Sequence, residues 1–149
     1  KKLGLTDELL ATVQFSKTGL DLNDELNGGE ETDLLIGLRG KDTLDGGLGA
    51  DVLIGGKGKD RFRYTGVEDS LADADGRDHI LDFGKKDKIN LQALAEELQY
   101  IKKRKFTGTA GEVRFKKETL SIDIDGDQSA DFAVALPGVE KLKGSNLLL

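Results

Sequence analysis

The stretch that decides the fold is Gly19–Arg63, which falls into five consecutive blocks of nine: GLDLNDELN (19–27), GGEETDLLI (28–36), GLRGKDTLD (37–45), GGLGADVLI (46–54) and GGKGKDRFR (55–63). Position one is always glycine: Gly19, Gly28, Gly37, Gly46 and Gly55. Position six is always aspartate: Asp24, Asp33, Asp42, Asp51 and Asp60. Position eight is always large and apolar: Leu26, Leu35, Leu44, Leu53 and Phe62. A Gly-rich linker has no reason to hold three columns in phase, so the blocks are structural repeats that must stack to bury their apolar positions. Glycine permits the positive φ of a tight turn over the first six residues. The last three form a short strand whose middle side chain points inward.

Two blocks complete one coil. Blocks one, three and five then stack on one side, and blocks two and four on the other. Positions seven and nine face outward. On the odd side these are Glu25, Asn27, Thr43, Asp45, Arg61 and Arg63, a wet face. On the even side they are Leu34, Ile36, Val52 and Ile54, which need covering, because such apolar patches are rare on monomers. The C-terminal half, or else a partner copy, is expected to lie there. Arg61 and Arg63 read as part of a solvated face or as a glycan or polyanion contact.

Composition narrows the function. The 149 residues include 20 Gly, one Pro, no Cys and a single histidine, His79. Zero cysteines remove disulfides and zinc–thiolate sites. One histidine removes paired-His zinc sites. A net charge of −6 argues against nucleic acid. No run is long and apolar enough to span a bilayer, and Lys1–Leu10 holds no signal-peptide hydrophobic region. No H-E-x-x-H or G-x-S-x-G motif occurs, and His79 has no nucleophile or second base beside it in sequence, so the chain reads as non-catalytic.

Beyond Phe62 the block pattern is read as ending. Ile80, Leu81 and Phe83 suggest a strand. Asn90 is placed to cap a short helix carrying Leu91, Leu94, Leu98 and Ile101 at helical spacing. Lys102–Lys105 would then sit at its C-terminal end, where cations suit the dipole, or form a polyanion patch. Strands are expected at Val113–Phe115, Leu120–Ile124 and Phe132–Leu136. Two acidic loops, Asp73/Asp75/Asp78 and Asp123/Asp125/Asp127 with Asp131 following, are calcium candidates or plain Asp-Gly turns.

The blocks resemble the G-G-x-G-x-D-x-U-x nonapeptide of RTX (repeat-in-toxin) proteins, a parallel β-helix repeat that binds Ca²⁺. Calcium takes six to eight oxygens from carboxylates and carbonyls. One turn cannot supply them, so stacked turns must share each ion. Candidate ligands are the carboxylates of Asp24, Asp33, Asp42, Asp51 and Asp60, with turn backbone at Gly37, Arg39, Gly46, Leu48, Gly55 and Lys57. The expected shared pairs are Asp42/Asp60, Asp33/Asp51 and Asp24/Asp42, the last weakened by Leu20 and Leu22 in place of glycines. Two to four ions are expected. Residues 64–136 resemble the C-terminal domain of serralysin-type secreted proteases, through Asp78-His79-Ile80-Leu81-Asp82-Phe83, Asp87-Lys88-Ile89-Asn90-Leu91, the run Phe106–Phe115, and Asp125-Gly126-Asp127 with Ala130-Asp131-Phe132.

That resemblance implies an all-β fold: a right-handed parallel β-roll with a β-rich C-terminal cap containing one short helix. It divides the chain into a lead-in (1–18), a roll (19–63) and a capping and secretion-signal region (64–149). It implies a bacterial, extracellular module that folds on Ca²⁺ and supports type I secretion, through the ABC transporter machinery, of an attached N-terminal passenger such as a protease or lipase. Gly144–Leu149 resembles the C-terminal signal without its acidic residue. The alternatives are a glycan-binding module of a polysaccharide-modifying enzyme and a segment of a surface adhesin.

Overall fold

A computed structural model describes residues 15–149. Of the lead-in, residues 1–14 lie outside the described residues, and Phe15–Thr18 forms strand β1. The repeats supply β2 (Glu25–Gly29), β3 (Asp33–Ile36), β4 (Arg39–Gly40), β5 (Thr43–Gly47), β6 (Val52–Ile54), β7 (Lys57–Gly58) and β8 (Arg61–Arg63). Then come β9 (Asp78–Ile80), β10 (Lys88–Asn90), β11 (Gln99–Lys102), β12 (Glu112–Lys116), β13 (Thr119–Asp123), β14 (Phe132–Ala135) and β15 (Leu147–Leu148).

Odd and even blocks separate into two sheets, as the nine-residue arithmetic requires. One has the order β15-β10-β8-β5-β2 and the other β1-β3-β6-β9-β14-β13-β12-β11. In the first, Leu26, Leu44, Phe62, Ile89 and Leu147 are register partners in one unbroken inward column. Leu35, Leu53 and Ile80 form the facing column. All eight are buried. Full burial of such a side chain contributes roughly 1.5–3 kcal/mol, so these columns are the main apolar stabilisation of the roll.

The roll does not stop at Arg63. β8 pairs in parallel with β10, and β6 with β9. Within the repeats the step between stacked positions is 18 residues; here it becomes 27. The additional nine, Tyr64–Ala72, loop out. Asp69 Oδ2 ties this loop to itself, accepting from the N–H of Thr65 (2.6 Å) and Gly66 (2.9 Å). The loop also leans on β14: Ser70 Oγ donates to the Ala133 carbonyl, and Leu71 bridges Phe132. Tyr64 packs edge-on to Phe132 with ring centroids 5.0 Å apart.

One expectation needs correction. No α-helix is present among the described residues, only 3-10 turns at Val67–Asp69 and Gly144–Asn146. Asn90 is the last residue of β10, and its Oδ1 accepts from Gln92 N–H (3.2 Å), closing a local turn rather than capping a helix. Leu91 bonds the Leu148 carbonyl instead of propagating a helical ladder, and Gln99 bonds the Gly111 carbonyl. The spacing of Leu91, Leu94, Leu98 and Ile101 arises from a turn followed by a strand that both face the core. Lys102–Lys105 therefore cap no helix; Lys102 ends β11.

The apolar outer face of the even blocks is partly covered. Val52 is fully buried, while Leu34, Ile36 and Ile54 are half-buried. The strands of the C-terminal half prolong the same sheet: β9 pairs with β14, and β14, β13 and β12 form an antiparallel meander with β11 at the edge. The three C-terminal strands fall where the alternation places them.

Candidate metal centre in the stacked turns

Stacking brings the position-six aspartates into two columns. One runs Asp24, Asp42, Asp60, Asp87; the other runs Asp33, Asp51, Asp78. In each column a carboxylate accepts from the backbone N–H of the aspartate one turn earlier. The distances are 2.9 Å for Asp24 N to Asp42, 3.0 Å for Asp42 N to Asp60, and 3.0 Å for Asp60 N to Asp87. In the other column they are 2.8 Å for Asp33 N to Asp51 and 2.8 Å for Asp51 N to Asp78.

Each of these bonds uses one carboxylate oxygen. At the ends of the first column the other oxygen is met locally: Asp24 Oδ2 accepts from Leu20 N–H (2.7 Å), and Asp87 Oδ2 from Gly84 N–H (2.7 Å). Elsewhere it is not. Asp33 Oδ1 and the Oδ2 atoms of Asp42, Asp51, Asp60 and Asp78 are buried without a hydrogen-bond partner. A buried anionic oxygen left unpaired is costly, and native proteins resolve it with a hydrogen bond or a cation.

The glycines show where carboxylate and carbonyl oxygens of successive turns converge. A Cβ on Gly28 would lie 2.5 Å from Asp33 Oδ2 and 2.2 Å from the Gly46 carbonyl oxygen. One on Gly37 would lie 2.6 Å from both Asp42 Oδ2 and the Gly55 carbonyl oxygen. Position one is thus glycine because carboxylate and next-turn carbonyl close on the volume a side chain would fill. Hard oxygens only, contributed by two successive turns, fit calcium and suit neither zinc nor copper. Gly37, Gly46 and Gly55 have their carbonyls at these positions. Leu48 and Lys57 donate N–H groups to the Gly29 and Leu38 carbonyls (2.8 and 2.7 Å), and Arg39 pairs with Lys57 in the short β4–β7 ladder.

Burial pushes these carboxyls up. Asp51 rises from 3.8 to about 7, through desolvation first and then the charges of Asp33 and other carboxylates; its hydrogen bond from Asp33 N opposes the rise. Asp60 rises to about 6, again through burial first, then the charges of Asp87, Asp42 and Asp82. Asp33, Asp42 and Asp78 shift the same way, chiefly from burial. A raised folded-state pKa means the folded metal-free chain holds protons that the unfolded chain has released. Its stability is therefore fully present below about pH 4 and is lost as pH rises through about 6 to 7. The expected outcome is that acidifying the chain in EDTA from pH 7.5 to pH 5 increases its β signal in circular dichroism. Over the same range the calcium midpoint rises, because protons compete for the ligands. A calcium-free spectrum that loses structure on acidification would contradict the assignment.

The columns include residues that the block pattern left out. Asp82 Oδ1 and Oδ2 accept from Gly55 N–H (3.0 Å) and Gly56 N–H (2.7 Å), and Asp87 closes its column. The signal was in the sequence: Asp60, Asp69, Asp78 and Asp87 keep nine-residue spacing, as do Phe62, Leu71, Ile80 and Ile89. Asp78 accordingly belongs to the roll. It is not grouped with Asp73 and Asp75, which are exposed; Asp73 Oδ1 closes its own loop by accepting from Asp75 and Gly76 N–H (3.0 and 2.8 Å). In the second acidic loop the carboxylates that converge are Asp123, Asp125 and Asp131, with ligand atoms within 4.8 Å of one another. Asp127 lies outside that group and accepts from Ser129 N–H (2.7 Å). Asp123 is buried, and both its oxygens accept N–H bonds, from Gly126 (2.7 Å) and Gln128 (2.9 Å). On the wet face Arg63 is committed to Asp45 and Glu25 (2.9 Å each) and to Asn27 (3.1 Å), whereas Arg61 is exposed. His79 is half-buried, its pKa lowered by burial and by Arg77.

No curated protein matches the chain. Solved structures share both fold and sequence with it, among them two subunits of one enzyme. The R3 subunit of the Azotobacter vinelandii mannuronan C5-epimerase AlgE6 is 34% identical, with a TM-score of 0.58, over 91% of this chain and 83% of that one. The R2 subunit of the same enzyme is 32% identical, with a TM-score of 0.59, over 91% of each chain. The family model described as peptidase M10 serralysin C terminal matches residues 26–149. With two stacks of Gly-Asp turns, a parallel β-roll and buried carboxylates waiting for a hard cation, the chain belongs to the serralysin C-terminal family of calcium-binding RTX domains.

Proposed function

We propose that this chain is a calcium-triggered folding module of an exported protein, non-catalytic in itself. The observation that carries the reading is the set of buried carboxylate oxygens without partners in the turn columns. Without a cation, stacked carboxylates repel and the glycine-rich chain has much conformational entropy to lose on folding. Calcium bound only by the folded state draws folding forward by mass action. Where free calcium is low the segment stays threadable for export; outside the cell it folds and supports a passenger on its N-terminal side. The roll proper spans residues 19–90 with Tyr64–Ala72 looped out. Asp33, Asp42, Asp51, Asp60 and Asp78, with the carbonyls of Gly37, Gly46 and Gly55, hold two to four ions.

Far-UV circular dichroism of the full chain, in EDTA and then across calcium up to ~10 mM, tests this against the ~10⁻⁴–10⁻³ M affinities usual for extracellular modules. The expected outcome is a cooperative rise in β signal with a midpoint in that range. A chain equally β-rich in EDTA, and unmoved by calcium, would sink the trigger.

A second reading is favoured by one finding: the two structural relatives are subunits of an enzyme that acts on mannuronan, an acidic polysaccharide. In that reading the folded module also contacts an acidic glycan. The prior commitment of Arg63 to Asp45 and Glu25 argues against the wet sheet face as the place of contact.

A further inference from the structure

Lysines of the C-terminal half, scattered in sequence, meet in space. A cleft of about 690 Å³ lies between β11, β12 and the segment before β15, and six lysines line it: Lys102, Lys103, Lys116, Lys117, Lys141 and Lys143. Among the described residues its one carboxylate is Glu140. A second cleft, about 560 Å³, shares Glu140, Lys141 and Lys143 with the first and adds Lys85, so the two run on into each other. In a chain of net charge −6 this segregation is marked. Among the described residues the ion pairs involve only Arg39 and Arg63, so none of these lysines has a carboxylate within 4.0 Å. Like charges gathered in a concave surface focus a positive potential and raise the local concentration of anions.

β11 carries a bulge between Tyr100 and Lys102, and Lys102 sits at φ 61°; bulges commonly re-aim a side chain. Lys117 and Glu118, at φ 51° and 59°, are the two central residues of the β12–β13 hairpin turn. Between the lysines stands Tyr100, its hydroxyl donating to the Leu142 carbonyl (3.0 Å), which fixes the ring as a wall.

We propose that this cleft binds an acidic oligosaccharide, a linear chain of carboxylate-bearing sugars; the proposal rests on the second reading above and locates its site. Chemistry favours that ligand over other polyanions. The lining cations are all lysine, compact point charges that suit carboxylates spread along a flexible chain; planar arginine forks, which match phosphate bidentately, are missing from it. The aromatic walls are Tyr100 and Phe115, with Phe83 in the second cleft; both phenylalanines are buried, so Tyr100 is the ring that offers a face, enough for one sugar but no ladder for successive bases. Concave walls suit a linear chain better than a flat membrane surface.

The test is calorimetric titration of the calcium-saturated full chain with a hexameric oligouronate at 50 mM NaCl. The wild-type chain should bind, and raising NaCl to 500 mM should weaken binding at least about tenfold, since exposed charges are screened over a few ångströms at that strength. A variant with Lys103→Gln, Lys116→Gln, Lys141→Gln and Lys143→Gln, all exposed positions, should lose at least tenfold in affinity while keeping the wild-type calcium transition. Arg61→Gln should bind as wild type. If the quadruple variant binds as well as wild type, the cleft is not the site, although the glycan reading survives. Should the wild-type chain not bind the oligouronate at all, both fall. If instead duplex DNA or phosphatidylserine vesicles bind with the same dependence on the four lysines and the oligouronate does not, the cleft serves another polyanion and the proposal is overturned.

Discussion

Asp78→Asn is expected to raise the calcium midpoint of folding at least about tenfold, as much as Asp51→Asn, which is about 1.4 kcal/mol or more in binding free energy. The reason is the column. Asp78 is fully buried beside the Tyr64 hydroxyl, its Oδ1 accepts from Asp51 N–H (2.8 Å), and its Oδ2 has no partner at normal hydrogen-bond distance. Asparagine keeps an acceptor for Asp51 but withdraws the anionic charge that a hard cation needs, and ligand charge count is a main determinant of calcium affinity. Asp69→Asn is the discriminating control. Asp69 occupies the same phase of the nine-residue period, yet it serves its own loop through Thr65 and Gly66. Its loss should cost roughly the 0.5–2 kcal/mol of a local cap, which, shared among two or more ions bound on folding, moves the midpoint by at most about fivefold. A calcium titration followed by circular dichroism on the three variants decides the matter. If Asp69→Asn moved the midpoint and Asp78→Asn did not, the looped-out block would be in the roll and the assignment of Asp78 wrong.

Gly47→Ala should destabilise the calcium-bound chain by roughly 3 kcal/mol, while Gly29→Ala should cost well under 1 kcal/mol. The two glycines hold the same position in adjacent stacked turns and are register partners. Gly47 has φ 85°, and a Cβ there would lie 2.2 Å from the Gly29 carbonyl oxygen. The left-handed backbone costs an L-residue roughly 1–2 kcal/mol, and forcing the turns apart adds about 1–3 kcal/mol of overpacking. At Gly29 the nearest atom to an added Cβ is 4.0 Å away, so an alanine meets only ordinary contact. Thermal unfolding at saturating calcium measures both. Equal effects would mean that the stacking contact does not constrain the turn.

Much of this was legible because the chemistry is periodic along the chain. Each turn contacts mainly its neighbours in the stack, so the Gly, Asp and apolar columns of five blocks report the inward core, the two sheets and the paired carboxylates without knowledge of anything distant. The three C-terminal strands were legible for the same reason, an alternation that reads out one buried face. Where the reading ran out, local chemistry did not discriminate. Tyr64–Ala72, Asp73–Leu81 and Asp82–Asn90 hold one glycine each and keep the same aspartate and apolar phase. Only contacts of Ser70 and Leu71 with Phe132 and Ala133, some sixty residues on, determine that the first of these loops out while the other two join the roll. Leu91, Leu94, Leu98 and Ile101 look helical because 3.6-residue spacing and a turn followed by a strand can mark the same positions as buried.

The sequence alone, then, determined the repeat, the parallel roll, the cation class and most of the carboxylates that line the turn columns, since those follow from neighbour-to-neighbour stacking of identical units. Tertiary structure alone decided where the roll ends, which aspartates complete its columns, that Asp131 rather than Asp127 joins the outer acidic group, and that lysines from three separate segments share one cleft. Those outcomes depend on which distant strand takes a free sheet edge. That choice is made by the summed packing of the whole core, which no local pattern encodes.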